Sequence, residues 1–416
     1  MKYISPTRQI QIAAHVSKQF RKKILRRNLL HSEGARRPER SLDHIRPSER
    51  FVTRVTLWDG HNVEQAISIR RPVIVPSPLS IHENQAETLK FLKDLREGFA
   101  KSRQKGNNSF VDRRSATPVI KRYADFSQLS EISTAAALIV TAEYERVGRI
   151  LSRVPPTVNL DLWNADVFTK LYDLGFFEVI GLAEDVRPKI YETNNQKSMR
   201  IISMTRGDRL AEVDESLTNL GSFLCADEAV FSKYVVEILT SISEALANVG
   251  HHAYPNDHHF EIEHIGKSWI TASADRSNGM LTVAVYDQGV SIPVTYANLE
   301  LMDKPRAFLR DLKEKVSSDG EANPYLHDGA LISVAARFGR SQTAHDHRGR
   351  GLPQMRQLID RIGNGEMMIY SRGGWCQCQD GDRVDYGNLP FSVGGTLIEW
   401  KIQVPMVEER NDDSNC

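Results

Sequence analysis

A glutamate and an asparagine, four residues apart, begin a stretch of the chain whose side chains could hold a metal ion and activate water. Residues 240–253 predict a helix with an apolar face, and the spacing places Glu244 and Asn248 one turn apart on one side of it. A carboxylate there could polarise a water molecule, and an amide oxygen is a ligand that Mg²⁺ accepts. The same pair could equally be surface residues of an ordinary helix.

A carboxylate at the end of a strand is the second candidate. Residues 280–286 are alternating and β-branched, which predicts a strand that ends at Asp287. A carboxylate in that position can accept a hydrogen bond from the exocyclic amine of adenine. Gly289, lacking a Cβ, would let the backbone approach the base. An Asp-Gln-Gly turn that closes a hairpin has the same pattern.

A glycine-rich loop leading into a helix is predicted over residues 348–360. Gly349 and Gly351 would free backbone amides, and the helix N-terminus would attract phosphate oxygens through its N–H groups and its dipole. Arg348 and Arg350 would add positive charge. A plain loop at the start of a helix is the alternative.

A glycine turn followed by a strand is predicted over residues 393–404, where Thr396 offers a hydroxyl near the adenine end. Thr396 could also be an ordinary edge-strand residue. The four segments, in this order over roughly residues 200–405, resemble the N, G1, G2 and G3 boxes of the gyrase–chaperone–histidine kinase–MutL (GHKL) superfamily. The first segment, EALANVGHHAY, is most similar to the anti-sigma-factor serine kinases.

The resemblance implies an ATP-binding domain and roles for individual residues. The expected fold class is α/β, with a C-terminal two-layer α/β sandwich of the Bergerat type, a mixed sheet, and a smaller N-terminal α/β region. Glu244 would be the general base, Asn248 the ligand of Mg²⁺ and Asp287 the residue that reads adenine. The other residues expected at the nucleotide are Gly289, Ile292, Arg348, Gly349, Arg350, Gly351, Leu352 and Thr396. The superfamily usually has a second glycine where this chain has Ser291, and a Cβ there could alter the edge of the pocket.

Residues 294–347 separate the second and third segments, at a place where the superfamily often has a mobile lid. We predict a charged helix over residues 306–315, a polar loop, and a second helix over residues 329–338. A lid that closes over a reaction site excludes water from it. The stretch could also be a plain surface excursion.

Histidines and cysteines raise two further metal hypotheses, both weaker. Adjacent histidines on a helix point in different directions, whereas zinc takes spaced ligands, so zinc is the less favoured interpretation of the histidines. The Cys-Gln-Cys pair, which we place in a hairpin loop, lacks a second pair and predicts two incidental thiols. The residues concerned are His251, His252, His258, His259, His264, Cys376 and Cys378.

Composition bounds the class of protein. The 416 residues are 40% hydrophobic and 26% charged, which is typical of a soluble chain of two or three domains. No apolar run approaches the roughly 20 residues that span a bilayer, and the N-terminus lacks the apolar core of a signal peptide. Four cysteines and no framework of pairs fit a reducing compartment, so we expect a cytoplasmic protein without membrane contact.

Positive charge is concentrated near the N-terminus. Residues 1–50 carry 13 basic and 4 acidic side chains, a net charge of +9, and predict a basic, partly disordered arm. A second basic cluster lies within residues 101–122. Such patches can bind nucleic acid through release of counterions, but aromatic residues for base stacking are sparse. A solvated arm or a surface that docks a protein would look the same.

Residues 51–199 predict an α/β region that regulates the ATPase domain or binds a partner. We expect strands within residues 51–75, helices over 81–101 and 133–152, and then a strand, helix and strand over 157–162, 165–174 and 176–181. This alternation resembles the domain shared by sulfate transporters and anti-sigma-factor antagonists. His82-Glu83 is of the type that accepts phosphate in sensor kinases, but it lies far upstream of the N box. The tail over residues 406–416 is polar and predicts disorder.

The sequence therefore predicts a protein that binds Mg–ATP, and most simply a slow ATP hydrolase whose lid couples nucleotide state to an N-terminal partner-binding region. A serine/threonine protein kinase of the anti-sigma-factor type, acting on a protein substrate, is the first alternative. The second is a non-catalytic switch that is gated by ATP or associated with nucleic acid. The expected partners are ATP, a protein, and possible nucleic acid at the basic arm.

Overall fold

The computed structural model describes residues 52–59, 62–104, 110–114, 116–181, 195–205, 207–224, 228–260, 262–297, 325–338, 351–381 and 383–404. The basic arm, the helix expected over residues 306–315 and the C-terminal tail lie outside these residues. So do Arg348, Gly349 and Arg350 of the glycine-rich loop.

The N-terminal part contains a small sheet and a group of helices. The sheet has the order β3-β4-β2-β1-β5, and its only parallel ladder among the described residues joins β2 to β4. Its strands are β1 (Thr53–Asp59), β2 (Asn62–Ser68), β3 (Val111–Asp112), β4 (Val119–Ile120) and β5 (Thr157–Val158). The helices are α1 (Gln85–Gln104), α2 (Thr134–Leu151), α3 (Ala165–Asp173) and the short α4 (Phe176–Val179).

The helices expected here are confirmed, but the strand–helix–strand unit is wrong. Ser133 caps α2 by accepting a hydrogen bond from the Ala136 amide at 3.2 Å. The strand expected over residues 157–162 shortens to β5, and the strand expected over 176–181 is instead α4. Phe176 and Phe177 are both buried, so the apolar run does not alternate as a half-exposed strand would. Without that strand, the resemblance to the sulfate-transporter domain loses its basis.

The C-terminal part is built on an eight-stranded sheet in the order β12-β11-β10-β13-β9-β8-β6, with β7 also paired to β8. The strands are β6 (Gln196–Ser198), β7 (Ile202–Met204), β8 (Ser268–Asp275), β9 (Met280–Asp287), β10 (Gly365–Ser371), β11 (Gly374–Gln379), β12 (Val384–Asn388) and β13 (Thr396–Gln403). Every described ladder of this sheet is antiparallel, which corrects the expected mixed sheet. The reason is local, because short turns join β8 to β9 and β10 to β11, and strands joined by short turns run antiparallel.

Helices cover both faces of this sheet. The first face holds α5 (Leu210–Leu224), α6 (Glu228–Asn248), α8 (Asp328–Phe338) and α9 (Gly351–Ile362), while the short α7 (Ile292–Ala297) follows β9. On the second face, α1 and α2 pack against Trp269, Tyr286 and Tyr370 in one buried cluster. The α/β fold is therefore confirmed, but α1 and α2 add a third layer that the sequence did not predict.

The core does not divide near residue 200, where a domain boundary was expected. Side chains of α1 and α2 and side chains of the large sheet belong to the same buried cluster, which runs from Leu79 to Leu397. The described residues between 52 and 404 accordingly form one compact unit. No helix within the described ranges is both long and apolar enough to cross a membrane.

Candidate functional site

Helix α6 carries the glutamate–asparagine pair on its last turns. Ile242, Ala245 and Leu246 are buried in the core beneath the helix, which leaves Glu244 and Asn248 half-buried on its flank. The chain then leaves the α-helix through a π-helical turn at Val249–Ala253. Such turns are frequent at functional sites.

The N-terminus of α9 lies directly against this pair. A Cβ added to Gly351 would lie 2.8 Å from Asn248 Nδ2 and 3.1 Å from Glu244 Oε2, so only a glycine fits without displacing these side chains. The first turn of a helix presents free N–H groups and the positive end of its dipole. The structure therefore brings a carboxylate, an amide and an anion-attracting helix end to one place.

Asp287 ends β9, where it is only 7% exposed. Its Oδ1 accepts a hydrogen bond from the Gly289 amide at 2.7 Å. Burial raises the pKa of the Asp287 carboxyl to about 7, against the smaller opposing effect of the Gly289 bond. The carboxyl therefore changes its charge near neutral pH.

Gly289 lies close to a neighbouring turn of the backbone, and this close packing, not the expected approach to adenine, is what requires a glycine here. A Cβ at this position would lie 2.4 Å from the Cβ of Ala253, so the close approach is to the turn after α6. The Val290 amide donates to the Ala253 carbonyl at 2.9 Å, and the Gln288 amide donates to the Tyr254 hydroxyl at 3.0 Å. These contacts fasten the Asp287 turn to the end of α6.

Ser291 stands where a glycine was expected, and its backbone is in the left-handed region with φ of 77°. A side chain is strained there, because its Cβ crowds the backbone. Its Oγ is buried and has no hydrogen-bond partner among the described residues, and the same holds for Oε1 and Nε2 of Gln288. Buried polar atoms of this kind are costly unless a ligand or water satisfies them.

Ser371, at the end of β10, joins two of the expected site residues and was missed in the sequence. Its hydroxyl shares a hydrogen bond of 2.8 Å with the Thr396 hydroxyl and accepts one from the Ile292 amide at 2.9 Å. Thr396 is the register partner of Asp287 in the neighbouring strand. Only the pairing of β10 with β13 brings Ser371 here, and no local pattern in the sequence reveals that pairing.

Helix α8 supports the apolar side of the site. Ile292 and Leu352 pack with Tyr296 and Val334 in a small cluster around this helix. Ile332 and Ala336 of α8 are also buried in the main core. This part of the insert between the second and third segments is therefore a packed helix. The rest of the predicted lid, residues 298–324 and 339–347, lies outside the described residues.

The histidines near α6 take part in aromatic packing. His264 stacks on Tyr254 with ring centroids 4.5 Å apart and meets Phe260 edge-on at 4.2 Å, and burial lowers its pKa. His251 and His252 contact each other through their rings. Among the described residues, no group of three or more His, Cys, Asp or Glu side chains is placed to hold a metal ion.

The remaining candidates lie away from this site. His82 is held between Glu399, through Nε2, and the Tyr370 hydroxyl, 3.1 Å from Nδ1. It precedes α1 rather than lying on an exposed helix, which disfavours a role as phosphate acceptor. Cys376 and Cys378 are on β11 and not in a hairpin loop, and their buried sulfur atoms are 4.0 Å apart.

Comparison with known families agrees with this geometry. Residues 207–373 match the family model of the histidine kinase-like ATPase domain. The match spans α5 to β10 and includes Glu244, Asn248, Asp287 and Gly351, whereas Thr396 lies beyond it. No curated protein matches the chain. Residues 207–373 are therefore similar to a histidine kinase-like ATPase domain, which agrees with the GHKL resemblance of the four sequence segments.

Proposed function

We propose that the protein binds Mg–ATP between α6, α9 and the end of β9, and that it hydrolyses ATP slowly. The observation that carries the proposal is the contact of Gly351 with both Asn248 and Glu244. This contact brings together the first and third sequence segments, which are about 100 residues apart, and so supports a site for a phosphate chain with a metal ion.

The two ends of the site suit the two ends of the nucleotide. The N-terminus of α9 would bind phosphate oxygens through backbone amides. Asn248 would offer its side-chain oxygen to Mg²⁺, and the ion would neutralise charge on the phosphates. Asp287, with Thr396 beside it, would accept the hydrogen bond of the adenine amine. The buried polar atoms of Gln288 and Ser291 adjoin Asp287 in the same turn and are open to bonding with a ligand or its water.

Glu244 would take a proton from the attacking water. Its side chain lies one turn before Asn248 and, like Asn248, beside Gly351, so a water next to the bound phosphate would be within its reach. The same carboxylate could deprotonate a serine hydroxyl of a protein substrate. The fate of the phosphate therefore separates a hydrolase from a protein kinase, and bound ATP without turnover would define a switch.

Coupling to the N-terminal region would run through the sheet and through the lid. Helices α1 and α2 pack on the face of the sheet opposite α6 and α9, so a partner that engaged them would act on the strands that carry Asp287 and Thr396. Closure of the insert over the phosphates would add the second route.

Calorimetry of ATP binding in the presence of Mg²⁺, followed by phosphate release on the same samples, tests the proposal. Wild type should bind, and Asp287→Ala should not. Glu244→Gln should bind ATP but lose turnover by a factor of about 10²–10⁴ if the carboxylate is the general base. Glu237→Gln is a matched control, because Glu237 is on the same helix and, in the part of the chain that the structure describes, pairs at the surface with Arg361 at 2.6 Å.

The outcomes are distinct. Turnover by Glu244→Gln at the wild-type rate would show that Glu244 is not the general base. Tight adenine binding by Asp287→Ala would show that Asp287 does not recognise adenine. Transfer of radiolabelled γ-phosphate to a protein, instead of release, would establish the kinase alternative. Failure of well-folded wild type to bind ATP would refute the proposal itself.

A further inference from the structure

A buried arginine of the N-terminal helical layer holds the turn that leads into Thr396. Arg96 is on α1 and is only 4% exposed. Its Nη2 donates to the Val393 carbonyl at 2.6 Å, and its Nη1 donates to the Ser392 carbonyl at 3.3 Å. One guanidinium therefore satisfies the two carbonyls that immediately precede the glycine pair.

The glycine pair lies between this guanidinium and the strand that ends at Asp287. A Cβ on Gly394 would lie 2.2 Å from Cζ of Arg96, so the turn rests directly on the arginine. A Cβ on Gly395 would lie 1.9 Å from the backbone oxygen of Asp287. We propose that Arg96 is a positioning residue for the adenine end of the nucleotide site, acting through the turn between Ser392 and Thr396.

Arg96 is itself fixed from two further directions. Its Nε donates to Glu143 of α2 at 2.5 Å, and its Nη2 lies 3.3 Å from the Tyr286 hydroxyl. That hydroxyl donates to the Gly394 carbonyl at 3.0 Å. Lys93, one turn earlier on α1, lies over the ring of Phe391 at 5.1 Å. The turn is thus bonded to α1 through Arg96 and to β9 through the Tyr286 hydroxyl, while α2 holds Arg96 in place through Glu143.

The chemistry of the side chain matters for this role. A planar guanidinium can reach two adjacent carbonyls and a carboxylate at once, whereas the lysine ammonium is a point charge on a flexible stem. Burying a charge is costly unless it is fully paired, and an apolar side chain would fill the same space at a lower cost. The bonds of Arg96 to the turn are what an apolar residue could not supply.

Arg146 provides a matched control. It is also buried, at 5% exposure, and it also pairs with Glu143, at 3.0 Å from Nε and 2.7 Å from Nη2. Within the described residues, its third hydrogen bond runs from Nη1 to the Glu263 carbonyl at 3.0 Å, and not to the Ser392–Thr396 turn. Replacing either arginine leaves Glu143 with one partner, so the two changes should destabilise the fold to a similar degree.

The first experiment compares ATP and ADP binding by wild type, Arg96→Met and Arg146→Met. The inference rests on the proposed function, so binding by wild type is measured first. Arg96→Met should lower the affinity for both ATP and ADP by about ten-fold, because the two nucleotides have the same adenine group. Arg146→Met should leave both affinities within about two-fold of wild type. Arg96→Lys keeps the charge opposite Glu143, and is the deciding variant if Arg96→Met does not fold. It should show an intermediate loss.

The second readout does not depend on nucleotide. In protein without ATP, amide hydrogen exchange from Gly394 to Leu397 should accelerate in Arg96→Lys and not in Arg146→Lys. Equal exchange in the two variants, or equal nucleotide affinity in Arg96→Met and Arg146→Met, would overturn the inference. Wild type that fails to bind ATP would overturn the proposed function, while exchange at the turn would still decide whether Arg96 positions it.

Discussion

Replacing Asp287 with asparagine should have opposite effects on two properties. It should stabilise the free protein against unfolding, and it should weaken the binding of ATP. Burial at the end of β9 raises the pKa of this carboxyl from its usual value of 3.8 to about 7. A shift of roughly three units corresponds to about 4 kcal/mol against the ionised form. The folded pKa lies above the unfolded one, so the folded state holds the proton more tightly. The free energy of unfolding therefore falls as the pH rises from about 4 to about 7.

Asparagine removes the charge and retains the shape. Its side-chain oxygen can still accept the hydrogen bond that the Gly289 amide donates to Asp287 at 2.7 Å. Without ATP, Asp287→Asn should be more stable than wild type at pH 8 by up to about 4 kcal/mol, and equal to it near pH 4. The figure is an upper limit, because the new amide group needs partners of its own. Urea unfolding at pH 4.5, 6 and 8 measures the difference.

The affinity for ATP should depend on pH in the opposite direction to the free energy of unfolding. An ionised carboxylate is the better acceptor for the adenine amine, so wild-type affinity should increase by up to about ten-fold per pH unit below pH 7 and level off above it. Asp287→Asn should bind ATP weakly and without this pH dependence. Asp360→Asn, on the exposed side of α9, is the control for loss of a carboxylate without burial. Parallel stability curves for Asp287→Asn and wild type across pH would refute the reasoning.

Three further substitutions test the site residue by residue. Ser291→Gly removes a Cβ from a backbone with φ of 77°, and should raise the unfolding free energy by about 1 kcal/mol in a denaturation experiment, so a loss of stability would contradict the strain argument. Gly351→Ala places a methyl group 2.8 Å from Asn248 Nδ2, and should reduce ATP affinity by about ten-fold or more in calorimetry while the circular dichroism spectrum stays unchanged. Retained affinity would show that this contact is not part of the site. Ser371→Ala removes the hydroxyl that joins Thr396 to Ile292, and should lower the unfolding free energy by about 1–3 kcal/mol, so a neutral result would mean that water replaces the hydroxyl.

The parts of the fold that the sequence predicted are those with long periodic patterns. The helices at α1, α2 and α6 and the strands β9 and β13 follow such patterns, and their positions agree within a few residues, although α6 begins well before its predicted start. The short element at Phe176–Val179 was predicted as a strand, because a brief apolar run has no period that separates strand from helix. The proximity of Glu244 to Asn248 follows from helix geometry alone, whereas their contact with Gly351 does not.

Contacts between distant parts of the chain account for what the sequence could not supply. Ser371 reaches Thr396 because β10 pairs with β13, and Arg96 reaches Val393 across nearly 300 positions of sequence. Neither residue belongs to a motif. The third layer was missed for the same reason, since the apolar faces of α1 and α2 predict burial but do not identify the surface that covers them.

Alternation along a single strand explains how the N-terminal layer and the nucleotide site are joined. Leu281, Val283 and Val285 of β9 face the core beneath α6 and α9, so Tyr286 must face α1 and α2, and Asp287 must return to the side of α6. The last two residues of one strand therefore contact the two helical layers in turn. A displacement of α1 that moved Tyr286 would move Asp287 as well, because no flexible segment separates them. If a partner binds the N-terminal helices, the end of β9 would give it a direct path to the proposed nucleotide site, and Arg96 would support that path from the side of α1.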